Sequence, residues 1–144
     1  MGELILLRHG ETEWSRAGKH TGRTDIPLTA RGEAHAKAVA PLLSRRHIVA
    51  VFTSPAKRAA NTAALAGLDN AQPCPDLWEW DYGGYEGLTT PQICQSRPGW
   101  YLWSDGCPRP FGIKVLTLTF NTLVWVFLVH VRYPPRGTLP SDAD

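Results

Sequence analysis

One stretch near the start of this 144-residue chain, Leu4-Ile5-Leu6-Leu7-Arg8-His9-Gly10-Glu11-Thr12, decides the fold. Its four apolar residues stop abruptly at Arg8, as a buried parallel strand does where it reaches the open edge of a sheet. Ligands of such sheets bind beyond the carboxyl ends of the strands. The stretch therefore predicts a site where a cation, an imidazole and a flexible glycine lie together.

A second apolar run, residues 48–52, leads into Thr53-Ser54-Pro55-Ala56-Lys57-Arg58. Ser54 is a suitable N-cap for a helix with Pro55 at its first position, and the alanine-rich sequence that follows predicts a helix to Gly67. Arg58 then lies in the first turn, where unpaired N–H groups and the helix dipole favour an anion. We expect this turn at the same sheet edge as Arg8 and His9.

Between the two strands lies another alanine-rich segment, from Thr29 to about Leu43, with Glu33 in its first turn. Pro41 is expected to bend or end this helix. Residues 68–110 are predicted to be mostly loop, with one short helix opening at Thr90-Pro91. The alternation of strands and helices predicts an α/β fold, with three α/β/α layers and a mostly parallel central sheet that is incomplete at its C-terminal side.

Composition narrows the classes of function. Hydrophobic residues make up 43% of the chain and charged residues 19%, which predicts a globular protein, and 144 residues suffice for one domain. A net charge of +2 is too small to favour nucleic acid or an anionic membrane as partner. Three cysteines without a CxxC pair predict neither disulfides nor a zinc site, and with no signal peptide visible we expect a cytoplasmic protein without a metal.

Three ordered blocks carry a family resemblance. The first extends the opening stretch through Thr21-Gly22-Arg23-Thr24-Asp25 to Pro27-Leu28-Thr29, and the second is Thr53-Ser54-Pro55 followed by Arg58 and Thr62-Ala63. The third is Leu77-Trp78-Glu79-Trp80-Asp81-Tyr82-Gly83-Gly84-Tyr85-Glu86-Gly87-Leu88-Thr89. Together they resemble the histidine phosphatase superfamily, which has the phosphoglycerate-mutase-like fold. The third block is most similar to small acid phosphatases and sedoheptulose-bisphosphatase-like members.

The resemblance implies a role for each matching residue. His9 would be the nucleophile that forms a phosphohistidine, Arg8 and Arg58 would hold the phosphoryl oxygens, and Glu79 would be the general acid. Elementary chemistry agrees, because a neutral imidazole can attack phosphorus and fixed guanidiniums stabilise the charge on a transferring phosphoryl group. No cofactor is implied. The matching substrate-binding positions are Gly10, Thr12, Ser15, Thr21 and Gly22.

The acid has competitors close by in the sequence. Asp81 and Glu86 are both carboxylates of the same loop, and Glu79 is preferred because it aligns with the acid of the family motif. The flanking Trp78 and Trp80 would raise its pKa by excluding water. Glu86, between Tyr85 and Gly87, is expected to order the loop.

Residues 109–144 depart from the family pattern, so we expect a histidine-phosphatase-like domain at 1–108 followed by a divergent apolar tail, either native or the product of a frameshift or truncation. Family members have a second histidine followed by glycine late in the chain, and here no His-Gly occurs after residue 10. His130 is the only late histidine. Because Val131 follows it, we predict that His130 lies away from His9. The apolar run 115–131 favours a core strand over a membrane anchor.

The expected function is a phosphatase that hydrolyses a small phosphorylated metabolite through a phosphohistidine, impaired by loss of the second histidine. A non-catalytic phosphate-binding remnant and a phosphoglycerate-mutase-type transferase are the alternatives. The hydrolase is preferred to the mutase because only about twenty residues separate Gly87 from Cys107, too few for the insertion typical of cofactor-dependent mutases. The sequence leaves the oligomeric state open.

Overall fold

The computed structural model describes residues 2–108 and 126–132. Strands and helices alternate along the first half of this part of the chain, and short helices follow in the second half. The strands are β1 (Gly2–Arg8), β2 (Ile48–Thr53), β3 (Gln72–Pro73) and β4 (Val126–Arg132). The α-helices are α1 (Glu13–Arg16), α2 (Ala30–Leu43), α3 (Lys57–Leu65), α4 (Thr90–Ser96) and α5 (Leu102–Asp105), and single 3-10 turns span Pro75–Leu77 and Gly83–Tyr85.

The four strands form one sheet in the order β1-β4-β2-β3. β4 is antiparallel to both of its neighbours, whereas β3 is parallel to β2, so β1, β2 and β3 all run in one direction. This arrangement confirms the α/β class and the mostly parallel sheet. It also brings the carboxyl ends of β1 and β2 to the same edge, where Arg8 ends one strand and Ser54 follows the other.

The core lies between β2, α2 and α3. Its buried residues are small or aliphatic: Leu43, Val51, Ala56, Ala59, Ala63, Ala66 and Leu68. The alanines let α3 approach its neighbours closely, and burial of Val51, which is 2% exposed, contributes about 2 kcal/mol. This packing holds the first turn of α3, with Arg58, at the sheet edge.

Helix α2 confirms its predicted start. Thr29 is the N-cap and its hydroxyl accepts the Gly32 amide at 3.0 Å. The helix includes Pro41 and continues to Leu43. Pro41 therefore does not end it, although it removes one backbone donor.

Helix α3 begins two residues later than predicted. Its N-cap is Ala56, and the Ser54 hydroxyl accepts the Ala56 amide at 3.3 Å, just before the helix. The cap for the first turn comes from a distant loop instead, since Asp25 Oδ1 accepts the Lys57 amide at 2.9 Å. The helix ends at Leu65, and Gly67 adopts a left-handed φ of 76°.

The described residues include only part of the apolar tail predicted for residues 109–144. Val126–Arg132 forms a strand, as predicted, and the rest of the apolar run, 115–125, lies outside the described residues, as does the expected divergence of the tail. His130 pairs with Leu4 while Val126 pairs with Arg8, so the backbone of His130 lies about 13 Å along the strand from Arg8. The prediction that His130 lies away from His9 is confirmed for the backbone. Within the described ranges, no helix is long and apolar enough to cross a membrane.

Candidate active site

His9 directly follows β1 and is half-buried at the sheet edge. Its Nδ1 lies 2.7 Å from the carbonyl of Gly10, and because a carbonyl only accepts, Nδ1 carries the proton in this arrangement. The lone pair of the neutral imidazole is then on Nε2. Burial lowers the pKa of His9 to about 4, and the positive charges of Arg58 and Arg8 act in the same direction. His9 is thus a neutral imidazole above that pH.

A pocket of about 280 Å³ opens beside this imidazole. It is lined by Arg8, His9, Gly10, Glu11, Ser15 and Arg16. The volume suits a phosphoryl group with a small organic portion. Three of the residues that the sequence assigns to the site, besides His9 itself, therefore share one pocket: Arg8, Gly10 and Ser15.

The loop that carries His9 is fixed by two glycines and a threonine. A Cβ on Gly10 would lie 2.4 Å from the carbonyl oxygen of Gly32, so only glycine permits this approach to α2. The Gly10 amide donates to Thr62 Oγ1 at 3.0 Å, and that hydroxyl donates to the Arg58 carbonyl at 2.7 Å. Thr62 therefore ties the His9 loop to the helix that bears Arg58.

Arg58 is only 2% exposed, and backbone carbonyls hold its guanidinium. Nη1 donates to Thr24 at 3.0 Å, and Nη2 donates to Thr21 at 3.3 Å and to Gly22 at 2.9 Å. Burial lowers the pKa of Arg58, while nearby carboxylates, Glu79 first among them, oppose that shift. A guanidinium has five N–H donors, so these three bonds leave capacity for a phosphoryl oxygen.

Glu79 is the buried carboxyl of the site, with 7% of its surface exposed. Oε1 accepts the Trp80 amide at 2.8 Å, whereas Oε2 is buried and makes no hydrogen bond to the described residues. Burial raises the pKa of Glu79 to about 8; the Trp80 amide and the charges of Arg58 and Arg8 oppose this rise, and the charge of Glu86 adds to it. Glu79 is therefore protonated near neutral pH, as a general acid must be.

The two carboxylates that compete with Glu79 for the role of acid make hydrogen bonds to backbone amides. Asp81 is exposed, and its Oδ1 accepts the Gly83 amide at 2.9 Å within its own turn. Glu86 Oε1 accepts the amides of Gly22 at 2.8 Å and Arg23 at 3.0 Å. Glu86 therefore links its own loop to the segment that contains Gly22 and Arg23, and the expectation that it orders the loop stays a prediction.

The remaining predicted substrate-binding residues make internal contacts. Thr12 is fully buried and forms a capping box with Ser15 at the start of α1. The Thr21 hydroxyl donates to the Lys19 carbonyl at 3.2 Å. Gly22 donates its amide to Glu86 and accepts Arg58 at its carbonyl. Direct substrate contact by these residues stays a prediction.

Sequence reasoning assigned no role to Thr62 or to Asp25. A signal exists for Thr62, because a threonine four residues after Arg58 can donate to the carbonyl one helical turn earlier. No local signal exists for Asp25, because its partner, the Lys57 amide, is 32 residues away.

Arg58 and Glu79 do not line the pocket that His9 shares with Arg8, but both are buried and close enough for their charges to act within this group of residues. A neutral histidine, two arginines and a protonated carboxyl in one region of an α/β protein suit phosphoryl transfer through histidine. The family model for the histidine phosphatase superfamily (branch 1) matches residues 4–115. The chain belongs to this superfamily, as the sequence blocks predict. The match ends at residue 115, and the expected domain boundary at 108 stays a prediction.

Curated relatives agree with this assignment. An acid phosphatase of Mycobacterium tuberculosis is 50% identical over 130 residues, covering 89% of this chain and 64% of the relative. A sedoheptulose 1,7-bisphosphatase of Saccharomyces cerevisiae is 37% identical over 127 residues, covering 72% of this chain and 47% of the relative. The chain thus spans about half to two thirds of the length of these relatives.

Solved structures show the same fold. The product of a Mycobacterium tuberculosis open reading frame superposes with a TM-score of 0.65 at 46% identity, covering 74% of this chain and 56% of that one. A mycobacterial glucosyl-3-phosphoglycerate phosphatase, solved in complex with VO3, gives a TM-score of 0.62 at 30% identity, covering 68% and 50%. The α/β scaffold that positions His9 is therefore that of the histidine phosphatases.

Proposed function

We propose that the chain is a phosphatase that hydrolyses a small phosphorylated metabolite through a phosphohistidine on His9. The observation that carries the proposal is that His9 and Arg8 share a pocket while Arg58 and Glu79 are buried nearby. Burial favours the neutral forms of His9 and Glu79, lowering the pKa of the first to about 4 and raising that of the second to about 8. Between these values one group has the lone pair of a nucleophile and the other has the proton of an acid. A cytoplasmic location fits a small metabolite as substrate.

In the first step Nε2 of His9 attacks phosphorus, a P–N bond forms and the ester P–O bond breaks. Glu79 gives its proton to the departing alkoxide, while Arg8 and Arg58 stabilise the charge on the phosphoryl oxygens. In the second step the Glu79 carboxylate takes a proton from water, whose oxygen attacks phosphorus and breaks the P–N bond. Inorganic phosphate leaves, and His9 and Glu79 return to their neutral forms.

The test is turnover of p-nitrophenyl phosphate by the full chain and by His9→Ala. We expect His9→Ala to lose at least about a thousandfold in kcat/KM, because the nucleophile is gone. His35→Ala is a matched control, since His35 is an exposed histidine on α2. Equal rates for the full chain and His9→Ala would contradict the proposal.

A second candidate is a phosphate-binding protein without turnover. It is favoured by the absence of His-Gly after residue 10 and by the register that pairs His130 with Leu4. Loss of one phosphoryl-contacting donor commonly costs about a hundred- to a thousandfold in rate. Phosphate binding by calorimetry, with no release of p-nitrophenol over hours, would favour this candidate over the phosphatase.

A further inference from the structure

Glu86 lies in the same loop as Glu79, residues 77–89. Its side chain contacts a different segment, residues 21–24. One oxygen, Oε1, accepts two successive amides of that segment, Gly22 at 2.8 Å and Arg23 at 3.0 Å. A carboxylate that accepts two backbone amides makes charge-assisted bonds, which are shorter and stronger than neutral ones. Glu86 therefore fixes the backbone of 21–24 from one side.

The other side of the same segment holds Arg58. The carbonyls of Thr21, Gly22 and Thr24 all accept from its guanidinium. At Gly22 the two interactions meet in one residue, whose amide binds Glu86 and whose carbonyl binds Arg58. The orientation of Arg58 thus depends on a peptide segment whose own orientation depends on Glu86.

Packing leaves this segment little freedom to find another position. A Cβ on Gly22 would lie 2.0 Å from the Trp80 carbonyl oxygen and 2.6 Å from Glu86 Oε1. Trp80 follows Glu79 directly, so the segment is pressed against the residues that carry the acid. A displacement of 21–24 would move the support of Arg58 and the surroundings of Glu79 together.

We propose that Glu86 is a positioning residue of the phosphoryl site, which holds residues 21–24 so that their carbonyls orient Arg58 toward the substrate. The inference rests on the proposed function. The second oxygen of Glu86, Oε2, is buried and has no hydrogen-bond partner among the described residues. That charge acts on both Arg58 and Glu79.

The charge predicts a second, measurable effect. The groups that act on Glu79 are Arg58 and Arg8, which favour its carboxylate, and Glu86, which favours the protonated acid; the phenol of Tyr82 lies near enough to feel its charge. Removal of the Glu86 charge lowers the pKa of Glu79. The basic limb of the pH–rate profile, where the acid loses its proton, then moves to lower pH.

Three variants separate geometry from charge. Glu86→Ala removes the acceptor, Glu86→Gln keeps an oxygen acceptor without the charge, and Glu86→Asp keeps the charge one methylene farther away. Asp81→Asn is the matched control, because Asp81 is an exposed carboxylate of the same loop whose hydrogen bond, within residues 2–108, goes to Gly83 of its own turn. The readouts are the Kd for inorganic phosphate by calorimetry and the pH profile of kcat/KM with glycerol 2-phosphate, whose alkoxide leaving group needs an acid.

We expect Glu86→Ala to weaken phosphate binding at least about fivefold and Glu86→Gln by less than about twofold, and we expect Glu86→Gln to move the basic limb to lower pH. Asp81→Asn should change neither. Phosphate binding within twofold of the full chain in Glu86→Ala would overturn the inference, as would equal weakening by Asp81→Asn or an unmoved limb in Glu86→Gln. Where Glu86→Ala does not fold, unchanged phosphate affinity in Glu86→Asp overturns it. Because phosphate binding needs no turnover, failure of the proposed function leaves this measurement decisive.

Discussion

His9, which is half-buried after strand β1, and Glu79, which is buried in a loop, have pKa values that burial shifts in opposite directions. Burial is the largest influence on both pKa values, lowering that of His9 to about 4 and raising that of Glu79 to about 8. Desolvation always disfavours the charged form, so the base loses affinity for its proton and the acid keeps its own. One physical effect thus prepares a nucleophile and a proton donor for the same pH range.

Arg58 lies near both groups and remains charged because its charge is solvated by protein. Three carbonyls replace the water that burial removes, and carboxylates nearby compensate further. The buried guanidinium of Arg58 thus keeps its charge, whereas burial favours the neutral forms of His9 and Glu79.

The largest effect is expected from Arg58→Ala, which removes the buried cation whose charge acts on both His9 and Glu79. We expect kcat/KM to fall about a thousandfold and the free energy of unfolding to fall by about 3 kcal/mol, because three carbonyls lose their donor. Arg58→Lys should restore little, since one ammonium cannot span the same acceptors. Steady-state kinetics and urea unfolding measure both; a loss in kcat/KM below tenfold would contradict the role of Arg58.

Glu79→Gln removes the ionisable carboxyl and leaves His9 and Arg58 in place. We expect kcat with glycerol 2-phosphate to fall about a hundred- to a thousandfold and the basic limb near pH 8 to disappear, because the amide has no proton to give. Asp81→Asn again serves as the control. Retention of the limb in Glu79→Gln would assign it to another group.

The same variant sharpens the comparison in stability. The Glu79 contribution is fully present below its ordinary pKa of 4.5 and is lost as pH rises through about 8, whereas the His9 contribution is present above 6.5 and is lost as pH falls through about 4. Between pH 4.5 and 6.5 the two trends oppose each other, and above 6.5 only that of Glu79 remains. Urea unfolding of the full chain should therefore lose about 2 kcal/mol between pH 6.5 and 8, and Glu79→Gln should not. Parallel curves for the two proteins would refute this assignment.

Gly22→Ala tests the close packing of residues 21–24 against the loop that bears Glu79. Its new methyl would clash with the Trp80 carbonyl and with Glu86, so we expect the free energy of unfolding to fall by about 3 kcal/mol. Gly84→Ala is the control, since the nearest atom to a Cβ there is 3.7 Å away. Thermal and urea unfolding compare the two, and equal losses would show that the close approach at Gly22 is not what makes the site rigid.

The smallest effect is expected from Asp25→Ala, which removes the cap of α3 but not Arg58 itself. A lost N-cap costs about 1 kcal/mol of stability. Asp25→Asn, which keeps an acceptor for the Lys57 amide, should recover most of it. If the loss in kcat/KM, expressed as a free energy, exceeds the loss in the free energy of unfolding, the charge of Asp25 rather than its cap supports Arg58.

Features that depend on neighbouring residues in the chain can be read from the sequence. An apolar run ending at Arg8-His9 predicts a strand that delivers both to a sheet edge, Thr29 predicts the start of α2, and the family block predicts that Glu79 is the acid. These features follow from periodicity, capping and motif order, which act over a few residues. Pro41 does not end α2, which reaches Leu43 as expected, and a bend at Pro41 stays a prediction.

Only the tertiary structure decided how the pieces support one another. Asp25 caps a helix 32 residues away, Thr62 ties the His9 loop to α3, and Glu86 holds the segment that holds Arg58. Each contact joins residues far apart in the chain, and no local pattern of residue types selects one such partner among many. The pKa values of His9 and Glu79 depend likewise on burial, which is a property of the packed molecule. The sequence could therefore propose a nucleophile and an acid, whereas the neutral forms of both residues depend on the fold.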